Sequence, residues 1–517
     1  MSPDISRRIV LLLSFTLLTY AFLMNAWASE DAYISFRTVE NFSAGYGLTW
    51  NPGDRVQAFT HPLWVLLMSV AHGVTSEVYL TSIVLSYALL VGMLLLLWRR
   101  LGDRTLAVCL VLVGSKAFVD YASSGLENVL SYALAAAFFG AVVHGRMGEP
   151  TRRNVGVACL LAALAFITRQ DTILLYLPAL VYRVVTATRA LRGRVAVPVL
   201  AGLAPAILWE LFSLIYYGFP FPNSAYAKLG SGIAAFDLVG QGLRYYANSL
   251  AWDPLTLTLT LGGVIWAATR SAWSQRAGAL GVVLYLLYVV RIGGDFMSGR
   301  FFALPFLVAV ILLASVPMRR AGWGVVAGIA LVSLLSPAAP LRTTRAYESL
   351  GIDAHGIADE RGYYFRASGL LFYRGGAEFP DHPGTRTGIE LRDAPNPGAI
   401  VRMVGYFGFA AGPEKIVVDP FGIADPLLAR LPVADPDDWR IGHFERALPA
   451  GYVESVLTGE NAIENPELRK FHDRIRLIVS GPLFSAERLR AIVAINTGRY
   501  DRWVDAYLAA EALPSRP

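Results

Sequence analysis

Charge is scarce in this sequence. Asp, Glu, Lys and Arg make up 16% of its 517 residues, against roughly 25% in a soluble domain. Cysteine is scarcer still: Cys109 and Cys159 are the only two, each inside an apolar run. That argues against a disulfide framework or a cysteine metal centre. His61 has no partner at metal-ligand spacing, which argues against a histidine metal site. No GxGxxG, Walker loop or Ser/His/Asp order stands in a suitable setting, so the soluble nucleotide-using enzymes find no support. A long basic block is also missing. The net charge of +6 comes from short arginine-rich hinges between apolar runs, and no nucleic-acid partner is expected.

What remains is greasy. Hydrophobic residues are 55% of the chain and the mean hydropathy is +0.47, the composition of a polytopic α-helical membrane protein. Residues 9–28 form the first span, preceded by Arg7 and Arg8, and read as a retained signal anchor with a cytoplasmic N-terminus. Further spans are expected at 78–98, 106–119, 129–144, 155–168, 172–185 and 195–217. The last four are expected at 250–268, 277–290, 301–316 and 322–335, giving about eleven transmembrane helices. The hinges "RRLGDR", "RMGEPTRR", "RALRGR", "RSAWSQR" and "MRR" then all fall on one side, as the positive-inside rule requires. The shorter run "HPLWVLLMSVAHGV" reads as an interfacial helix. After residue 340 charges, prolines and glycines return. Pieces such as "KIVVD", "RIRLIVS" and "RLRAIVAI" suggest a small α/β domain. The expected division is a transmembrane part, 1–340, and an extracytoplasmic domain, 341–517.

This topology gathers polar residues on the outer face. Glu30, Asp31, Arg37 and His61 belong to the first outer loop, with "SEDAYISFR" at its start. Glu127, Asn223, Lys228, Arg291, Asp295 and Arg300 follow in later loops. "YYGFPFPNSAYAK" and "RIGGDFMSGRFF" both break helices with Gly or Pro, and irregular backbone at membrane depth is tolerated only where protein buries it or it lines a cavity. Cations and amides there suit a lipid-linked phosphate. Each residue also has a plainer reading: Lys228 or Arg300 as a snorkelling side chain, Glu127 as a helix cap, and Glu30 and Asp31 as an ordinary polar flank.

The stretches "EDAYISFR", "GLTWNPGDRVQAFTHPLW", "YGFPFPNSAYAKL", "GGDFMSGRF" and "VVDPFGIADPLLARLP" resemble the GT-C glycosyltransferases. More narrowly they are similar to the mycobacterial arabinofuranosyltransferase B group and its bacterial relatives, and the matching motifs are scattered over most of the chain. The resemblance implies a multi-pass enzyme of the bacterial inner membrane, active in cell-envelope biogenesis. It would take a sugar, D-arabinofuranose first among the candidates, from a polyprenyl-phosphate donor to a hydroxyl of an extracytoplasmic glycan or glycoprotein acceptor. Mannose or a related sugar is the alternative donor, and a lipid-linked-sugar transporter or flippase is the rival class; no inverted repeat supports that rival. Asp31 would be the catalytic carboxylate and Glu30 its partner or substitute, since Glu30 stands where many members carry Asp. Lys228, Arg300, Asn223 and Arg291 would hold the donor phosphate. Asp295, Arg37, His61 and Glu127 would contact sugar or acceptor or support the others. The resemblance implies no definite cofactor, and two adjacent carboxylates could hold a divalent cation.

Overall fold

The computed structural model describes residues 3–144, 149–270, 272–316, 318–336, 338–342, 351–511 and 513. The hinge residues 145–148 and the stretch 343–350, just beyond the expected division at 340, lie outside the described residues. By their contacts the residues form two compact units. The first comprises Met1–Ser29, Tyr79–Ile207 and Leu238–Phe372, and the second Glu30–Val78, Leu208–Asp237 and Tyr373–Pro517. Contacts therefore draw a different division from the one expected at 340. The first outer loop and the "GFPFPNSAYAK" segment group with the C-terminal region, and the chain changes unit between Ser29 and Glu30.

The first unit is helical throughout its long elements. Helix is present at each of the eleven expected segments. Among the described residues five helical stretches are long and apolar enough to cross a membrane: Ile5–Asn25, Tyr79–Gly114, Gln170–Ala190, Ala196–Tyr216 and Trp273–Arg291. The helices Asn128–His144, Pro254–Ala268, Arg300–Leu313 and Arg320–Leu335 are shorter and also apolar. Two expected spans are interrupted. At Ser115 the helix Thr105–Gly114 stops and Lys116–Asp120 begins, with Ser115 capping the Phe118 amide at 3.1 Å. At Asp253 a second break separates Ala235–Trp252 from Pro254–Ala268. The two breaks satisfy each other: Asp253 Oδ2 accepts the Ala117 amide at 3.0 Å and the Ser115 hydroxyl at 3.3 Å. Backbone groups freed by a break in an apolar setting need such partners.

In the second unit the strands Gly398–Ile400 and Ile416–Val418 pair in parallel, with Gly398 opposite Ile416. The helix Val404–Ala411 forms the crossover between them, the connection that parallel strands require. Only these two strands are found among the described residues. "KIVVD" is a strand as expected, but "RIRLIVS" and "RLRAIVAI" lie in the helices Pro466–Ser480 and Ala486–Asn496. In the first of these, Leu468, Phe471, Ile475, Ile478 and Val479 are buried, a spacing of three and four that makes one face of a helix. The same residues pack with Tyr452, Val504 and Leu508 in the core of this unit. The C-terminal region is thus mostly helical, with one minimal βαβ element.

Candidate active site

Glu30 and Asp31 open the helix Glu30–Ser43, where acidic side chains suit the positive end of the helix dipole. Their surroundings differ. Glu30 is buried, and its Oε1 accepts the backbone amides of Gly405 and Tyr406, the latter at 3.1 Å. Those amides belong to the first turn of Val404–Ala411, whose N–H groups have no partner inside their own helix. One carboxylate therefore caps a second helix in space. Gly405 is needed for this approach, because a Cβ there would run into the Glu30 carbonyl oxygen and lie 2.6 Å from Oε1. Burial first, and then the charge of Asp31, push the Glu30 carboxyl up to about 8, against the pull of the two amides.

Asp31 is only half-buried. One turn further along the same helix face, Ser35 meets His61 Nε2 at 2.7 Å, and His61 is buried. The aromatic rings of Tyr33, Tyr406 and Phe409 meet edge to face nearby, with Tyr33 4.9 Å from Tyr406 and 5.1 Å from Phe409. Asp419 follows the second strand directly. It is fully buried, accepts the Phe421 and Ala424 amides at 2.9 Å, and adds to the charge felt by Glu30. Glu30 and Asp419 thus share the carboxyl ends of the two parallel strands, where α/β units place their ligands. Among the described residues no group of three His, Cys, Asp or Glu could hold a metal ion.

Two expected ligands have other work here. Arg37 is buried and donates to the carbonyls of Trp50 at 2.8 Å, Lys415 at 2.7 Å, and Gly408. Its guanidinium lies 4.6 Å from the Trp50 ring, so it pins loop to helix and does not present itself to a sugar. Asn223, expected at the donor phosphate, gives its amide to the carbonyls of Gly422, Ile423 and Asp425 at 2.8, 3.2 and 2.9 Å. Its oxygen accepts Arg430 at 3.1 Å. An amide engaged on both ends clamps the "DPFGIADP" loop and has no donor left for phosphate. Lys228, in the last turn of Asn223–Leu229, is half-buried.

The remaining candidates lie in the first unit. Glu127 is fully buried, 3.3 Å from Arg300 and 3.7 Å from Arg169. Arg300 also stands 3.8 Å from Asp295, whose Oδ1 accepts the Phe296 amide at 2.9 Å. Arg169 pairs with Asp171 at 2.8 Å. Glu127, Asp295 and Arg300 are therefore brought together in a buried ion-pair network in which Glu127 is the hub. Arg291 ends the helix Trp273–Arg291 and is exposed. A second buried network escaped sequence reading: Lys116 holds Asp120 and Asp359, the latter at 2.8 Å, and Arg361 holds Asp120 at 2.9 Å. Lys116 and Asp120 are four residues apart on one helix, but Asp359 lies 243 residues from Lys116, and nothing local announces that pairing.

No family model matches the chain. Its curated relatives are glycosyltransferases, which is the class its motifs indicate. A terminal β-(1→2)-arabinofuranosyltransferase of Mycobacterium tuberculosis is 26% identical over 573 aligned positions, covering 87% of this chain and 88% of the relative. The enzyme of the same name from Corynebacterium glutamicum is 28% identical, covering 59% of this chain and 50% of the relative. The resemblance to the arabinofuranosyltransferase B group is met in both. Among solved structures, the chain is similar to the oligosaccharyltransferase of Archaeoglobus fulgidus in complex with Zn and sulfate, with a TM-score of 0.45 and 12% identity. The match covers 80% of this chain and 62% of that one, less than two thirds of its length. The ArnT protein of Cupriavidus metallidurans bound to undecaprenyl phosphate gives a TM-score of 0.47 and 15% identity, covering 80% and 86%.

Proposed function

We propose that this glycosyltransferase moves D-arabinofuranose from a polyprenyl-phosphate donor to a hydroxyl of a cell-envelope glycan, with Asp31 as the reacting carboxylate. The observation that carries the assignment within the pair is the contrast between its members. Glu30 is buried and spent on two backbone amides, whereas Asp31 keeps part of its surface. In the step proposed, the acceptor oxygen bonds to the anomeric carbon as its proton passes to Asp31. The bond from that carbon to the phosphate breaks, and the polyprenyl phosphate leaves with the electron pair. Positive charge develops on the sugar and negative charge on the phosphate, so a carboxylate on one side and a cation on the other lower the barrier. Lys228 is the cation proposed for the phosphate. Glu30 is a positioning residue that fixes the first turn bearing Asp31.

The test is transfer by the purified full chain in nanodiscs, using synthetic polyprenyl-phosphoryl sugars and a glycan acceptor. Product from the arabinofuranosyl donor is expected. Uptake of intact donor into vesicles with no bond cleavage would overturn the proposal in favour of a transporter. The relatives' names support the sugar, and the arginine-rich hinges support a cytoplasmic N-terminus, about eleven crossings and an extracytoplasmic C-terminal region. A reporter active only in the cytoplasm, fused after Pro517, should be silent; activity there would contradict that orientation.

A further inference from the structure

The proposed reaction leaves unused a groove of about 780 Å³ in the first unit, lined by the start of Arg152–Thr168 and the start of Ala196–Tyr216. Arg152, Arg153 and Arg194 stand in its lining, together with Val157, Leu160 and Val197. Among the described residues no acidic side chain lines it. The two helices meet inside the groove backbone to backbone. A Cβ on Gly202 would run into the Gly156 carbonyl oxygen and come within 2.6 Å of the Cys159 Cβ.

The charges in this groove are arranged against their own helices. Arg152 and Arg153 occupy the first turn of one helix, and Arg194 precedes the other by two residues. Cations at a helix N-terminus oppose its dipole, and three of them at two such ends repel one another as well. An anion seated among them reverses every one of these terms. The apolar walls say which anion. Val197 is 78% exposed and Leu160 37%, surface suited to hydrocarbon and of no use to a free phosphate. Ala196–Tyr216 is also one of the helices long and apolar enough to cross a membrane.

We propose that this groove binds an anionic phospholipid, its phosphate among Arg152, Arg153 and Arg194 and an acyl chain along Val157, Leu160 and Val197. Basic pockets between membrane helices bind acidic lipid headgroups by this combination of charge and greasy wall. The site is separate from the residues proposed for sugar transfer and does not depend on that reading.

The test uses the full chain extracted from mixed bilayers of phosphatidylglycerol and phosphatidylcholine, with retained lipid counted by native mass spectrometry. The wild-type chain should retain phosphatidylglycerol about tenfold or more over phosphatidylcholine. The double variant Arg153→Gln/Arg194→Gln should lose that preference. Both arginines are exposed and oppose their helix dipoles, so its melting temperature in pure phosphatidylcholine should be unchanged or slightly raised. Val197→Trp, which fills the groove and keeps the charge, should lose retention too. Equal retention of the two lipids by the wild type, or an undiminished preference in both variants, would overturn the proposal. So would displacement of the lipid by glycerol 3-phosphate, which would make the site one for a soluble phosphate.

Discussion

The Glu30 carboxylate caps the helix that begins with Val404 by accepting the Tyr406 amide at 3.1 Å, 376 residues away in sequence. This contact ties the first loop to the βαβ element and separates the roles of two adjacent acids. Glu30 holds the structure, and its neighbour Asp31 keeps part of its surface.

Gly405→Ala is expected to break this arrangement. The added methyl would collide with the Glu30 carbonyl and carboxylate, and overpacking of this kind typically costs about 1–3 kcal/mol. Thermal unfolding of the variant should show a lowered melting temperature together with reduced transfer. A variant as stable and active as the wild type would mean that the helix start can shift at no cost.

Glu30 should pull stability down with rising pH between about 4.5 and 8, opposed below about 6.5 by His443 and His472, which burial pushes down to about 3 and about 4. The Glu30 carboxyl is raised from 4.5 to about 8, chiefly by burial. Below the lower value both folded and unfolded chains hold the proton. Between the two values only the folded chain holds it, so each step upward in pH lowers stability, by a few kcal/mol in all on the order-of-magnitude scale of linkage. Asp425, pushed up to about 7 mainly by burial, slopes the same way. Glu30→Gln should flatten the fall of melting temperature between about pH 6.5 and 8, where the histidines no longer oppose it. An unchanged profile would contradict the burial of an ionisable Glu30.

Much of this was legible in the sequence, for reasons that particular residues show. Spans such as 195–217 are read from hydropathy alone, and the structure has the helix Ala196–Tyr216 there. "SEDAYISFR" was conspicuous because carboxylates beside a greasy run are costly to ignore. What could not be read is long-range pairing. Nothing near Asn223 says that its amide will close on Gly422 and Asp425, and an amide that clamps carbonyls has the same letter as one that binds phosphate. Gly405 and Tyr406 were missed because they act through backbone N–H groups, which every residue but proline has. Arg37 takes the supporting one of its two readings, and the sequence could not choose between them because its partners are carbonyls.

Asn223 and Lys228 share a seven-residue helix but should respond differently to removal. Asn223→Ala removes two N–H donors shared among three carbonyls, at about 0.5–1.5 kcal/mol per hydrogen bond lost, and should lower the melting temperature. Lys228→Ala should leave melting nearly unchanged and weaken binding of the polyprenyl-phosphate donor, measured directly in nanodiscs. Unaltered donor affinity would return Lys228 to the role of a snorkelling side chain.

Arg300→Ala should be costly because it takes one of two close guanidinium partners from the fully buried Glu127. Breaking a buried pair from one side typically costs about 3–5 kcal/mol, and the remaining Arg169 should hold the loss to the low end. Adding Glu127→Gln should recover part of it. Simple additivity in the double-mutant cycle would mean that the two side chains are not coupled.

The most direct test of the central claim is single-turnover sugar transfer by Asp31→Asn, with donor affinity measured on the same preparation. The change keeps the shape of the side chain and removes its charge and basicity. Loss of a general base typically slows a reaction about a hundred- to ten-thousand-fold. Transfer is expected to fall by at least a hundredfold while donor binding survives and Glu30→Gln loses far less. Near-normal transfer by Asp31→Asn, with Glu30→Gln inactive, would contradict the assignment and make the buried carboxyl the reacting group.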